Sequence, residues 1–277
     1  MSQQQKNKLS NVFIYILLAF GAITMLLPFF WMISTSLKTA GEAVAMPPIW
    51  LSSNLQTGNY EEALQAAPFG RYFLNSVIVT TISTVGELLT TILAAFAFAR
   101  LEFYGKNILF VLLISTMMVP GELLTISNFV TLSDWGLINT YASLFLPFLA
   151  SVFSIYILKE AFEAIPDEIY YAAKVDGCSD WRYLWTVMVP LSKSSIVSIA
   201  ILGIIGSWNS FMWPLIVTTE QTMRTLPVGL QAFTTEAGTQ YELLMAASTI
   251  VVVPMIIVYI FLQKYIIEGL ASGGSKG

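Results

Sequence analysis

Glu87 is the one acid set deep in a long apolar run of this sequence. An ionisable group at membrane depth must be paired, neutralised or reached by water. Glu87 therefore lines a cavity or carries protons, or else it hydrogen-bonds to a facing helix. A second stretch, Gly206 to Leu215, sets Trp208, Asn209 and Phe211 among small residues. An amide in hydrocarbon needs a partner, and aromatic faces suit sugar rings. The plainer reading is helix packing through Gly and Ser, with Trp213 in an interfacial aromatic belt. On an unbroken helix Trp208 and Phe211 are neighbours, while Asn209 points about 100° away from Trp208.

The third stretch, Glu160 to Pro190, is the longest charge-bearing segment in the middle of the chain. It reads as two short helices around a turn. Pro166 suits a first helical turn, and Asp167 and Glu168 lie where a helix N-terminus favours acids. Gly177 ends that helix, because glycine takes a left-handed C-terminal position cheaply. Ser179 caps a second helix, with Trp181, Leu184, Trp185 and Met188 expected on one face and Pro190 ending it. The small pair Ala172-Ala173 lets another protein's surface approach the first helix closely. The alternative is an ordinary amphipathic loop between two spans.

Other chemistries are poorly served. The chain has no histidine and a single cysteine, Cys178, so no intrachain disulfide forms. No G-x-x-x-x-G-K-[ST] cradle for nucleotide phosphates is present: Gly105-Lys106 is followed by Asn107. No nucleophile–base pair or metal-ligand constellation stands out, so neither an enzyme active site nor a metal site is expected. No basic patch suggests nucleic acid.

Positioning these residues falls to membrane helices. Of the 277 residues 56% are hydrophobic and 11% charged, against about a quarter charged in soluble domains. A span needs about 20 mostly apolar residues. Six candidates fit: Val12 to Ser34, Tyr72 to Ala99, Asn107 to Val119, Gly136 to Leu158, most of Ser194 to Thr219, and Leu243 to Gln263. Pro120-Gly121-Glu122 breaks or caps the third, and Pro28, Pro147 and Pro254 lie inside the first, fourth and sixth. The apolar N-terminal run outlasts a signal-peptide core of roughly 7–15 residues and reads as a retained span. The expected architecture is all-α, one transmembrane domain over 1–277, with outer loops at 38–70 and 220–242 and a flexible end from Ala271.

Six spans put both termini on one side. Lys6, Lys8, Arg100, Lys106, Lys159, Lys174, Arg182, Lys193, Lys264 and Lys276 fall there, against Lys38, Arg71 and Arg224 opposite. The positive-inside rule makes that side, with both termini and the 160–190 loop, cytoplasmic.

The spacing Ala172, Ala173, Asp176, Gly177, Pro190 resembles the "EAA" loop of ABC importer permeases, with Tyr171 in place of the usual glutamate and Cys178 in place of the last alanine. Trp208-Asn209-x-Phe211-x-x-Pro214-Leu215 resembles the fifth helix of maltose-type sugar permeases. So do Asn75-Ser76, Ala97-Phe98-Ala99-Arg100, Thr225 to Leu230 and the ending from Leu262. The likeness runs from the second helix to the C-terminus and is to the second of the two permease subunits. It implies a type I ABC importer permease fold with no catalysis of its own. It also implies a second permease, two ATPase subunits holding ATP and Mg, and an extracytoplasmic sugar-binding protein, in a bacterial-type cell membrane. Ala172, Ala173, Asp176, Gly177 and Pro190 then belong to the helix docking on the ATPase. Trp208, Asn209, Phe211 and Glu87 are candidates for the substrate path, and the 220–242 loop for displacing sugar from the binding protein. An oligosaccharide is the expected cargo. A proton-coupled secondary transporter using Glu87, or a glycerol-phosphate-type permease, are the rivals.

Overall fold

The computed structural model describes residues 3–236 and 238–274; Lys276 and Gly277 lie outside the described residues. The chain divides into two compact units, Met1–Phe69 with Leu230–Pro254, and Gly70–Gly229 with Met255–Gly277.

In the first unit α1 (Gln3–Ser36) is apolar on all sides, and its large side chains from Val12 to Leu27 are exposed. A helix of that kind requires lipid or a partner around it. The 38–70 segment that follows is not a plain loop. Thr39 and Glu42 form a reciprocal capping box on α2 (Ala40–Ala43), and α3 (Gly58–Ala66) returns to the end of α1. Asn59 Nδ2 donates to the carbonyls of Ser36 and Lys38 at 2.9 and 2.8 Å. Lys38 is fully buried, 3.9 Å above the Trp31 ring and 3.3 Å from Thr35 Oγ1. Burial holds its pKa below the usual lysine value, with Glu42 acting the other way.

The second unit begins with α4 (Phe69–Arg100), a single uninterrupted helix. The elements after it are broken. α5 (Lys106–Ser115) passes into a 3₁₀ turn, Thr116–Met118, and the chain then bends by 93° at Pro120-Gly121 into a helical arm ending in α6 (Thr125–Asp134). The sequence foresaw the break but not the arm. The expected helix from Gly136 to Leu158 is instead α7 (Tyr141–Phe145), a turn through Pro147, and α8 (Val152–Glu163), bent by 47°. Ser151 makes the restart possible, its side chain accepting from Ser154 N at 3.2 Å.

The 160–190 loop holds α9 (Asp167–Val175) and α10 (Asp180–Tyr183), capped by Ser179 as expected. A π-turn, Leu184–Met188, follows, then α11 (Val189–Leu191). The π-turn adds a residue and shifts the register. The expected common face of Trp181, Leu184, Trp185 and Met188 is therefore split: Tyr183, Leu184 and Met188 are buried, whereas Trp181 is exposed. Pro190 sits inside the last turn, and the 81° bend comes at Ser192.

α12 (Lys193–Trp208) and α13 (Met212–Val217) are separated at 209–211. Pro214 has no N–H to donate to the Ser210 carbonyl, which favours a break here, although α1 and α15 carry Pro28 and Pro254 without one. The predicted neighbourhood of Trp208 and Phe211, which assumed an unbroken helix, is thus corrected. α14 (Leu226–Gly229) lies in the 220–242 loop, as does a short hairpin of β1 (Thr234–Thr235) and β2 (Gly238–Thr239). α15 (Tyr241–Gly274) completes the described chain and takes in residues 271–274, expected as a flexible end.

Among the described residues three helices are long and apolar enough to cross a membrane: Asn11–Ser36, Phe69–Arg100 and Tyr241–Phe261. The three bent pairs bring the count to six when each is one span.

Candidate functional site

Two polar sites lie in the second unit, at different levels of α4. The first is built on Arg100, the last residue of that helix. Its guanidinium is buried; Nη2 donates to Phe162 O at 2.8 Å and to Ile165 O, and Nη1 pairs with Asp167. Arg100 thus ties the end of α8 to the first residue of α9. Ile92, Phe96, Phe162, Ile165, Tyr183 and Met188 pack beneath as one apolar core. α9 then closes as a Schellman motif: Cys178 N donates to Ala173 O at 2.9 Å and Gly177 N to Lys174 O at 3.0 Å, with Gly177 at φ +74°. Lys174 Nζ lies 2.7 Å from Asp180 Oδ1, which raises the Lys174 pKa, and Tyr170 OH donates to the same carboxylate at 2.8 Å.

This frame decides what α9 offers to the outside. Tyr171, Ala172 and Val175 are exposed, and Val175 is bare at 88%. Ala173 and Tyr170 turn inward onto the core. Of the predicted small pair only Ala172 is free for a close approach. Asp176 and Gly177 form the turn at its end, and Pro190 stands apart at the end of the following helix.

The second site is a cavity of about 560 Å³ around Glu87. Glu87 Oε1 accepts from Ser154 Oγ at 2.7 Å, and Ser154 and Ser151 hydroxyls are 3.0 Å apart. The carboxylate thereby meets the first turn of α8, where a helix favours an acid. Close packing sets this geometry. A Cβ on Gly86 would collide with Leu149, and the Leu149 carbonyl, freed by the break, accepts from Thr90 Oγ1. Five further hydroxyl-bearing residues reach the cavity: Ser76, Ser83, Ser207, Ser210 and Thr225. Phe148, Phe153, Leu202 and Pro214 supply apolar wall, and among the described residues no basic one lines it.

Glu87 is the only one of the four predicted path residues on this cavity. Trp208 is buried and meets Phe73 edge-on at 6.0 Å, Asn209 is the exposed C-cap of α12, and Phe211 is exposed at the break. Asn75 and Ser76, picked out only by resemblance, have a physical task. Asn75 Nδ2 donates to the carbonyls of Thr222 and Arg224 at 2.9 and 2.8 Å, and Ser76 Oγ accepts from Leu226 N at 2.9 Å. They anchor the start of the 220–242 loop. Sequence reasoning missed the role of Arg100 and the hydroxyl set. The available signals were a lone arginine closing an apolar helix and the Ser151-x-x-Ser154 capping pattern.

Residues 87–271 match the family described as binding-protein-dependent transport system inner membrane component. The chain belongs to this family. The match takes in the Arg100 site and the Glu87 cavity from Glu87 onward, and it excludes the proton-coupled secondary transporter. The arabinooligosaccharide transport permease AraQ of Bacillus subtilis is 34% identical over 207 residues, 75% of this chain and 74% of that one. The diacetylchitobiose uptake permease NgcG of Streptomyces coelicolor is 31% identical over 261 residues, 93% and 86%. The sn-glycerol-3-phosphate permease UgpE of Yersinia pestis is 30% identical over 207 residues, 74% of each. A crystal structure of a bacterial ABC transporter that imports the acidic polysaccharide alginate superposes with a TM-score of 0.82, at 22% identity over 96% of this chain and 98% of that one. This inner-membrane component therefore has the all-α type I ABC importer permease fold.

Proposed function

We propose that this chain is the membrane-spanning subunit of an ATP-driven importer of carbohydrate, an oligosaccharide, and acts along its whole length as one permease domain. It forms the path with a second permease and couples to two ATPase subunits, which hold the ATP and Mg. An extracytoplasmic sugar-binding protein delivers cargo. The observation that carries the reading is the exposed face of α9, with Tyr171, Ala172 and Val175 outward on a short helix locked from behind by Arg100. A helix held so firmly yet bare on one side is fitted to push and be pushed. Asp176, Gly177 and Pro190 fix its turn and the following helix. Both termini and α9 are cytoplasmic in this reading, supported by the lysine and arginine bias.

Sugar as cargo rests on AraQ and NgcG. Glu87 is the path residue with cavity access; Trp208, Asn209 and Phe211 belong to the path through the helix break beside Ser207 and Ser210. The 220–242 loop meets the binding protein. Affinity purification of the tagged chain tests the assembly: an ATPase and a second permease should co-purify, and Ala172→Trp should remove the ATPase. A lone chain that transports, or undiminished ATPase recovery with Ala172→Trp, contradicts the reading.

A further inference from the structure

We infer that the Glu87 cavity is a subsite for an uncharged, hydroxyl-rich ring, held by Glu87, Ser83 and Thr225. The inference rests on the carbohydrate-import reading and narrows it. Ser83 and Thr225 line the cavity and are each only 4% exposed. Ser83 Oγ and Thr225 Oγ1 are enclosed and have no hydrogen-bond partner, so a χ1 rotation that turns either hydroxyl toward the cavity breaks no bond. A buried hydroxyl without a partner is costly to keep. Ser154 and Ser76, on the same cavity, are by contrast hydrogen-bonded. Glu87 is likewise half-engaged: Oε1 holds Ser154, while Oε2 faces Gly203, where a Cβ would come within 3.1 Å.

The open groups define their complement. A carboxylate only accepts hydrogen bonds, whereas serine and threonine hydroxyls both donate and accept. A ligand hydroxyl satisfies either. A phosphate or uronate would bring negative charge toward Glu87 with no base on the wall to offset it. Phe148, Phe153 and Leu202 supply the apolar surface that the C–H face of a ring needs. Relatives carrying glycerol phosphate and alginate share the fold; the wall chemistry here separates this chain from their ligands.

The orphan hydroxyls make the test clean. Ser83→Ala and Thr225→Val remove groups that bond to nothing in the protein, so melting temperature and complex yield should hold. The assembled importer in proteoliposomes is offered arabinotriose, diacetylchitobiose, alginate trisaccharide and glycerol 3-phosphate. Uptake should be confined to the neutral pair, and each variant, with Glu87→Gln, should lower it about tenfold. Uptake of either anion by the wild type overturns the proposal, as do variants within twofold of wild type. Import of none of the four by an assembled, ATP-hydrolysing complex removes the carbohydrate reading and this subsite with it.

Discussion

The two polar sites along α4 are finished to different degrees. At the Arg100 end Phe162 O on α8, Ile165 O in the linker and Asp167 on α9 converge on the two terminal nitrogens of one guanidinium. The Tyr170–Lys174–Asp180 cluster closes on itself, and Arg100 Nε and Tyr183 OH are left without a partner. Around Glu87 the hydroxyls of Ser83 and Thr225 are left open, as is one carboxylate oxygen. The difference lies in where the unpartnered groups sit: at the Arg100 end they are packed into the apolar core, whereas Ser83 and Thr225 belong to residues that line a cavity. The Arg100 end of α4 fastens α8 to α9, and the Glu87 level borders a cavity.

That contrast can be broken most forcefully at Arg100. Arg100→Met leaves the carbonyls of Phe162 and Ile165 without their donor and frees Asp167. We expect a loss of roughly 2–4 kcal/mol, read by thermal denaturation of the purified complex, together with weakened ATPase-subunit recovery. An unchanged melting curve would mean that the fastening is ornamental. Gly177→Val comes next. Nothing stands within 4 Å of a Cβ there, so the penalty is purely that of φ +74° for a branched residue, about 1–2 kcal/mol. Expression should survive while binding-protein-stimulated ATPase and uptake fall; Gly177→Asn, which tolerates that φ, should restore both.

Gly203→Ala sharpens the other side. Its Cβ would displace Glu87 Oε2 by a few tenths of an ångström, so uptake should drop severalfold while ATPase-subunit recovery stays at the wild-type level. A parallel loss of both would merge the two sites into one. The smallest effect is on the surface. The raised Lys174 pKa means that the Lys174–Asp180 contact contributes fully below the ordinary lysine pKa near 10.5 and disappears as pH rises through the higher folded value. The same contact lowers the Asp180 pKa, so Lys174→Gln should flatten the alkaline limb of the melting-temperature profile and, to a smaller extent, the acid limb below the ordinary aspartate pKa.

Much of this was legible from residues. The spans follow from bilayer thickness, Gly177 from the one backbone conformation that glycine takes cheaply, and Ser179 from capping. Helix interruptions were legible only in part. Pro120 and Pro214 announce loss of a donor, but the restart at Ser151 depends on Thr90 and Gly86, distant in sequence. The face of 181–188 was misread because a π-turn changes the period that face arguments assume. Arg100 reads in sequence as a charge at a membrane boundary; only folding brings Phe162, Ile165 and Asp167 to it. The hydroxyl set was invisible for the same reason, since serines are common on apolar helices and only their convergence distinguishes them.

The break between α7 and α8 makes α8 a lever. Its fulcrum is the Leu149 carbonyl, pinned to Thr90, and its long arm ends where Arg100 grips it. Twelve residues give an arm of about 18 Å. A 3 Å displacement of α9 therefore tilts α8 by only about 10°, and Ser151 and Ser154, close to the fulcrum, travel less than about 1 Å. Any such motion is geared down on its way to Glu87: a large stroke at α9 becomes a fine adjustment of hydrogen-bond length at the carboxylate.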